Sequence, residues 1–144
     1  ARLTDVRILV VDDSEFNREI AQCILLNEGA IVTTHSDGQQ ALDQLRATPH
    51  AFDIVLMDVQ MPRMDGNEAT SRIRGELGLN DLPVIALTAG ALLVERQRAL
   101  DAGMSDFVSK PLDPDTLVRL VRRHVDERYA GRRHPAATPP PTAA

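Results

Sequence analysis

The sequence contains one cysteine, no tryptophan, one tyrosine and three phenylalanines. A single cysteine cannot form an internal disulfide bond, which excludes a fold held together by disulfides and indicates a reducing, cytoplasmic location. Cys23 lies in an apolar helical pattern, so we expect it to be buried as a small hydrophobic residue. The chain must fold around an ordinary aliphatic core, for which its 43% hydrophobic content is sufficient.

The sequence also lacks a long hydrophobic run. No apolar stretch approaches the roughly 18 residues that cross a bilayer, and no signal-peptide core precedes the first predicted strand. We therefore expect no membrane contact by this domain, whether it stands alone or is the cytoplasmic part of a membrane-anchored parent. The net charge is -5, and no arginine-rich stripe is interleaved with aromatic residues. This balance argues against direct binding to nucleic acid.

Five short apolar runs alternate with five amphipathic helical patterns, which is typical of a doubly wound α/β fold with a parallel sheet. The runs cover residues 7–11, 30–34, 54–57, 84–88 and 106–109. The first, third and fourth runs are almost entirely apolar, as strands buried on both faces must be, so we place them in the centre of the sheet. At 144 residues, the chain has room for one such domain.

The helical patterns lie between these runs. The first has apolar residues at helical spacing, namely Phe16, Ile20, Cys23 and Ile24. Ser14 is placed to cap its start, and Gly29 is placed to end it. The third and fourth helices are predicted over residues 67–77 and 91–102, and the fifth begins near Pro114.

The composition changes after about Tyr129, where Gly, Arg, Pro, Ala and Thr replace the periodic pattern. Such a segment has almost nothing to bury. We therefore predict one folded domain over residues 1–129 and a flexible Pro/Ala-rich tail or linker over residues 130–144.

Chemically active residues follow four of the apolar runs. Asp12 and Asp13 follow the first, Asp58 the third, Thr88 ends the fourth, and Lys110 follows the fifth. Because the carboxyl ends of parallel strands line one crevice, we expect these side chains to converge there. Three adjacent carboxylates favour a hard divalent cation, while a hydroxyl and an ammonium can bind the outer oxygens of a phosphoryl group. A carboxylate nucleophile, a metal and a cationic clamp together indicate aspartyl phosphorylation.

Each of these residues has an ordinary structural interpretation when it is taken alone. An aspartate between a strand and a helix is a good N-cap, a threonine favours strands, and a lysine is usually a solvated charge. Two adjacent acids, Asp12 and Asp13, would repel each other without a cation. Pro111 adds information about Lys110, because it ends the strand and permits a cis peptide bond that directs the ammonium inward.

Several motifs resemble those of the receiver domains of response regulators. They are ILVVDD over residues 8–13, VLMDVQMPRMDG over 55–66, ALTA over 86–89 and SKPL over 109–112. Their order and spacing make the resemblance specific, although any one of them alone would be weak. The resemblance covers residues 5–128 and implies a flavodoxin-like (βα)5 fold with strand order 2-1-3-4-5.

The resemblance also implies roles for the acidic residues. Asp58 would be the phosphoacceptor, and Mg²⁺, with Mn²⁺ as an alternative, would be held by Asp13, Asp58 and the main-chain carbonyl of Gln60. Asp12 would contact the metal directly or through water.

Three further residues have implied roles. Thr88 and Lys110 would bind the phosphoryl oxygens, and Thr88 and Phe107 would form the conformational switch. A tyrosine is common at the position of Phe107, so contacts through a phenolic hydroxyl are absent here. Gly90 replaces the bulkier residue expected two positions after Thr88, which softens the following loop or opens the site.

The subtype is indicated by two stretches, residues 13–18 and 57–62, which resemble receivers of hybrid sensor histidine kinases. The implied partner is a histidine kinase or a histidine phosphotransfer protein, which would donate a phosphoryl group from phosphohistidine. The domain itself would turn over no conventional substrate and would catalyse only its own phosphorylation and dephosphorylation. The sequence does not indicate an oligomeric state.

Three alternatives remain open at this stage. The chain could be a stand-alone response regulator, or a pseudo-receiver that binds proteins without being phosphorylated. The third is a phosphatase of the haloacid dehalogenase type, which also uses an aspartyl phosphate. Those enzymes carry an Asp-x-Asp pattern after the first strand, whereas this chain has Asp12, Asp13 and Ser14 there.

Overall fold

A computed structural model describes residues 1–90 and 92–130 of the chain. Within them, five strands alternate with five helices. The elements are β1 (Arg7–Val11), α1 (Glu15–Leu26), β2 (Ile31–His35), α2 (Gly38–Ala47), β3 (Ile54–Asp58), α3 (Gly66–Gly75), β4 (Val84–Thr88), α4 (Leu93–Asp101), β5 (Asp106–Ser109) and α5 (Pro114–Ala130). Among the described residues, no helix is both long enough and apolar enough to cross a membrane.

The five strands form one parallel sheet in the order β2-β1-β3-β4-β5. This confirms the predicted doubly wound flavodoxin-like fold and the central position of β1, β3 and β4. Every residue of β3 and β4 is buried, because helices cover both faces of the sheet. One apolar layer packs against α1 and α5, and the other packs against α2, α3 and α4.

Several element boundaries differ from the predicted ones by one or two residues. Strand β2 is shifted by one residue, α3 begins at Gly66 and ends at Gly75, and the described part of α4 begins at Leu93. Ala130, which was assigned to the tail, is the last residue of α5. Ala91 and the rest of the predicted tail, residues 131–144, lie outside the described residues.

The orientation of α1 corrects one expectation. Cys23 is exposed, and the side chain of Phe16 is 70% exposed, so neither residue belongs to the core. The residues of α1 that are fully buried against the sheet are Ala21 and Leu25. They lie on the opposite side of the helix from Phe16 and Cys23, because each residue turns the chain by about 100°. The helix start is as predicted, since the Ser14 hydroxyl accepts a hydrogen bond from the Asn17 amide at 3.3 Å.

A polar network fastens the end of α5 to the amino-terminal edge of the sheet. The buried carboxylate of Asp53 pairs with the Arg7 guanidinium at 2.8 Å and accepts a hydrogen bond from the Tyr129 hydroxyl. Arg128 donates to the carbonyls of Phe52 and Asp53, each at 3.0 Å. Burial alone raises the pKa of Asp53, but Arg7 and Tyr129 outweigh it and lower the pKa below its ordinary value. This network lies at the edge opposite the strand ends that carry the predicted site.

Candidate functional site

The predicted site residues meet where the central strands end. Asp58 is the last residue of β3 and Thr88 is the last residue of β4. Asp12 follows β1, and its amide donates to the His35 carbonyl at 3.2 Å. The Lys110 amide donates to the Thr88 carbonyl at 2.7 Å, which continues the pairing of β4 with β5. Sheet pairing therefore brings together residues that are up to 98 positions apart (12 to 110).

Three carboxylates form the floor of this site. One oxygen each from Asp12, Asp13 and Asp58 lies within 4.8 Å of the others. Asp12 is 1% exposed and Asp58 is 4% exposed, whereas Asp13 is exposed to solvent. The cluster thus combines two buried carboxylates with one that solvent reaches.

The Lys110 ammonium bridges the two buried acids. Its Nζ atom lies 3.1 Å from Asp12 Oδ2 and 3.3 Å from Asp58 Oδ1. The Lys110–Pro111 peptide bond is cis. The main-chain amide of Gln60 also donates to Asp58 Oδ1, at 3.2 Å. Asp58 is therefore held between a cation and a backbone donor.

The charges of the site perturb each other. Burial raises the pKa of Asp58 to about 7, and the nearby Asp12 carboxylate adds to this effect. Burial alone lowers the pKa of Lys110, but the carboxylates of Asp12 and Asp58 outweigh it and raise the pKa above its ordinary value. An acid whose pKa is raised by burial and by a like-charged neighbour is typical of a functional site rather than of a solvated loop.

The donor set suits a hard divalent cation. Three carboxylates and one ammonium leave a net formal charge of -2 (3 negative, 1 positive) when all are ionised. Asp12 Oδ2 is buried and has no hydrogen bond of good geometry, although Lys110 lies nearby. Carboxylate oxygens are ligands that Mg²⁺ and Ca²⁺ prefer in proteins, and this cluster offers one oxygen from each of three carboxylates. The predicted role of the Gln60 carbonyl stays a prediction.

Comparison with known proteins identifies the family. Residues 8–122 match the family model described as the response regulator receiver domain. The chain belongs to this family. Its acidic pocket of Asp12, Asp13 and Asp58 fits the phosphoacceptor site of such a domain. Family membership removes the phosphatase alternative and confirms the resemblance seen in the motifs.

Two curated relatives represent two different contexts for this receiver domain. The sensor histidine kinase RcsC of Salmonella typhimurium is 48% identical over 81% of the chain, which covers 12% of that kinase. A protein of Leptolyngbya boryana described as an uncharacterized 14.6 kDa protein is 42% identical over 85% of the chain and 92% of its own length. The receiver domain is thus homologous to receivers within hybrid histidine kinases. It also matches kinases of Dictyostelium discoideum and Pseudomonas syringae, of which it spans 5% and 13% of the length.

A solved receiver domain supports the same conclusion. The receiver of a Pseudomonas aeruginosa sensor histidine kinase superposes with a TM-score of 0.77 at 35% identity. The superposition covers 85% of this chain and 98% of the solved chain. That structure is described as having a magnesium ion coordinated in the active site cleft.

The two predicted switch residues lie on one side of the receiver sheet. Thr88 is buried, and its hydroxyl donates to the Gly90 carbonyl at 2.9 Å. Phe107 is half-buried, and it pairs in the sheet with Ala86, two residues before Thr88. Because side chains alternate along a strand, Thr88 and Phe107 face the same helical layer. Whether they move on phosphorylation stays a prediction.

Gly66 packs directly against the main chain of Asp58, a contact that the sequence only partly indicated. A side chain on Gly66 would place its Cβ 2.3 Å from the Asp58 carbonyl oxygen, so only glycine fits there. The Gly66 amide donates to the Val59 carbonyl at 2.8 Å, which closes the loop after β3. The motif analysis recognised a loop fixed by proline and glycine, but not this close approach.

Two arginines near the site were missed by sequence reasoning. The Arg18 guanidinium of α1 donates to the Asp12 carbonyl at 2.8 Å. The Arg96 guanidinium of α4 lies over the Phe107 ring, with 4.5 Å between its central carbon and the ring centroid. Arg18 lies one helical turn after the helix cap Ser14, and this spacing could have predicted that its side chain lies near Asp12. Arg96 has no comparable signal, because α4 and β5 meet only in three dimensions.

Proposed function

We propose that this receiver domain accepts a phosphoryl group from phosphohistidine onto Asp58 and so switches or relays a signal. The observation that carries the proposal is the position of Asp58, a buried carboxylate on the last residue of β3 that lies 3.3 Å from the Lys110 ammonium and within 4.8 Å of the other two acids. The predicted domain of residues 1–129, extended by Ala130 at the end of α5, is proposed to form the functional unit, and residues 131–144 are proposed to serve as a tail or linker.

The transfer step is an in-line displacement at phosphorus. An Asp58 carboxylate oxygen forms the new bond to phosphorus, the bond from phosphorus to the donor imidazole nitrogen breaks, and the neutral histidine leaves after taking a proton. Lys110 is placed to neutralise a phosphoryl oxygen. Thr88 is placed to donate to another oxygen once its hydroxyl leaves the Gly90 carbonyl.

Mg²⁺, with Mn²⁺ as an alternative, is the proposed cofactor. Asp12, Asp13, Asp58 and the Gln60 carbonyl would hold it, with Asp12 acting directly or through water. When bound, the metal supplies positive charge that stabilises the transferring phosphoryl group. Support comes from the buried Asp12 oxygen that lacks a good hydrogen bond, and from the magnesium described in the cleft of the related Pseudomonas receiver.

The proposed partner is a histidine kinase or a histidine phosphotransfer protein. The exposed Phe16 and the half-buried Asn17 lie at the start of α1, three and four residues after the exposed acid Asp13, so a partner that reaches the site from this side would meet an exposed aromatic ring and an amide. Origin from a hybrid kinase, with a cytoplasmic location, is favoured by the relatives that are such kinases. A stand-alone regulator is the second candidate, because the Leptolyngbya relative is almost wholly a receiver.

Phosphotransfer profiling tests this function. A panel of histidine kinases and histidine phosphotransfer proteins, each labelled on histidine, is mixed with the domain in Mg²⁺. We expect rapid transfer of label from at least one donor to the wild type and none to Asp58→Asn. Transfer to both forms would place the acceptor elsewhere, and transfer to neither from any donor would contradict the proposed function.

A further inference from the structure

The Arg96 side chain contacts the ring of Phe107. Its guanidinium lies over the face of the ring, and within residues 1–90 and 92–130 it forms no ion pair and no side-chain hydrogen bond. A cation held over an aromatic face at this distance is attracted by the negative charge of the ring face. Phe107 has no hydroxyl, so this contact replaces the polar contacts that a tyrosine could make there.

The contact covers a Phe107 ring that is half-buried, packed partly against the core and partly open to the surface beside α4. The ring lines a surface groove of about 510 Å³ together with the exposed side chains of α4, namely Leu93, Val94, Gln97 and Leu100. The Thr88 hydroxyl meanwhile donates to the Gly90 carbonyl. Both switch residues are therefore in a resting arrangement, with Thr88 turned toward the loop before α4 and Phe107 covered by a residue of α4.

An inward turn of Phe107 would break this contact. Thr88 and Phe107 face the same helical layer, so the ring can turn toward the space that Thr88 leaves when its hydroxyl moves to a phosphoryl oxygen. That turn takes the ring away from the Arg96 guanidinium. The contact therefore stabilises the resting state and not the switched one, and a group with such a difference shifts the equilibrium between them.

We propose that Arg96 is a positioning residue, a cation–π latch that holds Phe107 outward and sets how readily the domain switches. The inference rests on the proposed function, because it assumes that a phosphoryl group at Asp58 favours the inward ring. By linkage, a contact that stabilises the resting state weakens binding of a phosphoryl mimic that favours the switched state, by at most the factor by which the contact shifts the equilibrium. Loss of the latch should therefore strengthen that binding.

The test is calorimetric titration of the domain with beryllofluoride, a phosphoryl mimic, in saturating Mg²⁺. Arg96→Gln should bind the mimic about two- to fivefold more tightly than the wild type, which is the range for an exposed cation–π contact. Arg96→Lys keeps the cation and should stay closer to the wild type. Arg119→Gln, which makes the same charge change on the exposed surface of α5, should have no effect.

A double-mutant cycle separates a latch from a general effect of charge. In the Phe107→Leu background, which has no ring for the cation to cover, Arg96→Gln should leave the affinity unchanged. An equal effect in both backgrounds, or a wild-type affinity that Arg96→Gln leaves unchanged or lowers, would overturn the latch alone. Failure of the wild type itself to bind beryllofluoride would contradict the proposed function, and the latch would fall with it.

Discussion

At the scale of single residues, the buried carboxylate of Asp58 has conflicting requirements. Burial and the Asp12 carboxylate raise its pKa to about 7, whereas a nucleophile must be ionised. The Lys110 ammonium at 3.3 Å offsets only part of this cost. The metal-free site is therefore in an unfavourable charge state above neutral pH, and a cation or a neutral substitution should relieve it.

Asp58→Asn removes this charge and keeps the shape of the side chain. We expect the metal-free variant to be more stable than the wild type at pH 8 by about 1–2 kcal/mol. The folded pKa lies above the ordinary value of 3.8, so the wild type loses stability as the pH rises from about 4 to about 7. The difference in the free energy of unfolding between the variant and the wild type should therefore be close to zero at about pH 5. Urea unfolding at both pH values, with a chelator present, measures it.

The matched control for this prediction is Asp43→Asn, on an exposed part of α2. It should change the free energy of unfolding by no more than about 0.5 kcal/mol at either pH. An Asp58→Asn variant that is less stable than the wild type at pH 8 would show that the carboxylate is not strained by burial.

At the scale of elements, the strands could be predicted from the sequence because both faces of the central strands are apolar, so the runs are continuous. The site followed from them, since Asp58, Thr88 and Lys110 each end or follow such a run. The face of α1 could not be predicted as reliably. Its apolar residues spread around more than half of the helix, and only packing decides that Ala21 and Leu25 are inside.

Side-chain contacts between distant elements could also not be predicted from the sequence. Asp53 meets Arg7 across 46 residues and Tyr129 across 76. None of the three belongs to a motif, and each is of a residue type that is commonly found at least partly exposed. The same holds for Arg96 and Phe107. Pairing of this kind depends on side-chain positions after folding, whereas the site depends only on where strands end.

The Asp53 network leads to a prediction about α5. Asp53→Asn removes the charge that Arg7 and Tyr129 contact, and we expect it to destabilise the domain by about 1–2 kcal/mol at pH 7, a value reduced because Arg7 is partly exposed. Since the folded pKa of Asp53 is lowered, its stabilising contribution is present above the ordinary carboxyl pKa and is lost as the pH falls below it. Urea unfolding at pH 7 and at about pH 3.5 follows this loss.

The control for the network is Asp126→Asn, which changes an exposed acid on the same helix that pairs with the surface residue Arg122. Its effect should stay below about 0.5 kcal/mol. Equal destabilisation by the two substitutions would mean that Asp53 contributes no more than a surface ion pair.

At the scale of the whole molecule, a cation at the site should stabilise the fold by mass action. We expect Mg²⁺ to raise the melting temperature, with a gain of about 2.7 kcal/mol when its concentration is one hundred times the dissociation constant. Asp13→Asn should lose most of this rise. Asp13 is exposed, so the substitution should leave the metal-free domain folded. Thermal unfolding with and without Mg²⁺ measures both effects.

Asp101→Asn serves as the control for the magnesium prediction, because Asp101 is an exposed acid at the end of α4 that pairs with Gln97. It should show the full wild-type rise in melting temperature. A rise that Asp13→Asn retains in full would exclude Asp13 from the metal site.

The measurement that tests the central claim most directly is the mass of the intact domain after incubation with acetyl phosphate. In Mg²⁺ the wild type and the control Asp43→Asn should each gain one phosphoryl group, because Asp58 lies against both the acidic cluster and Lys110. Asp58→Asn should gain none, and neither should the wild type in a chelator. A phosphoryl group that appears on Asp58→Asn, or a wild type that is never modified in Mg²⁺, would contradict the account.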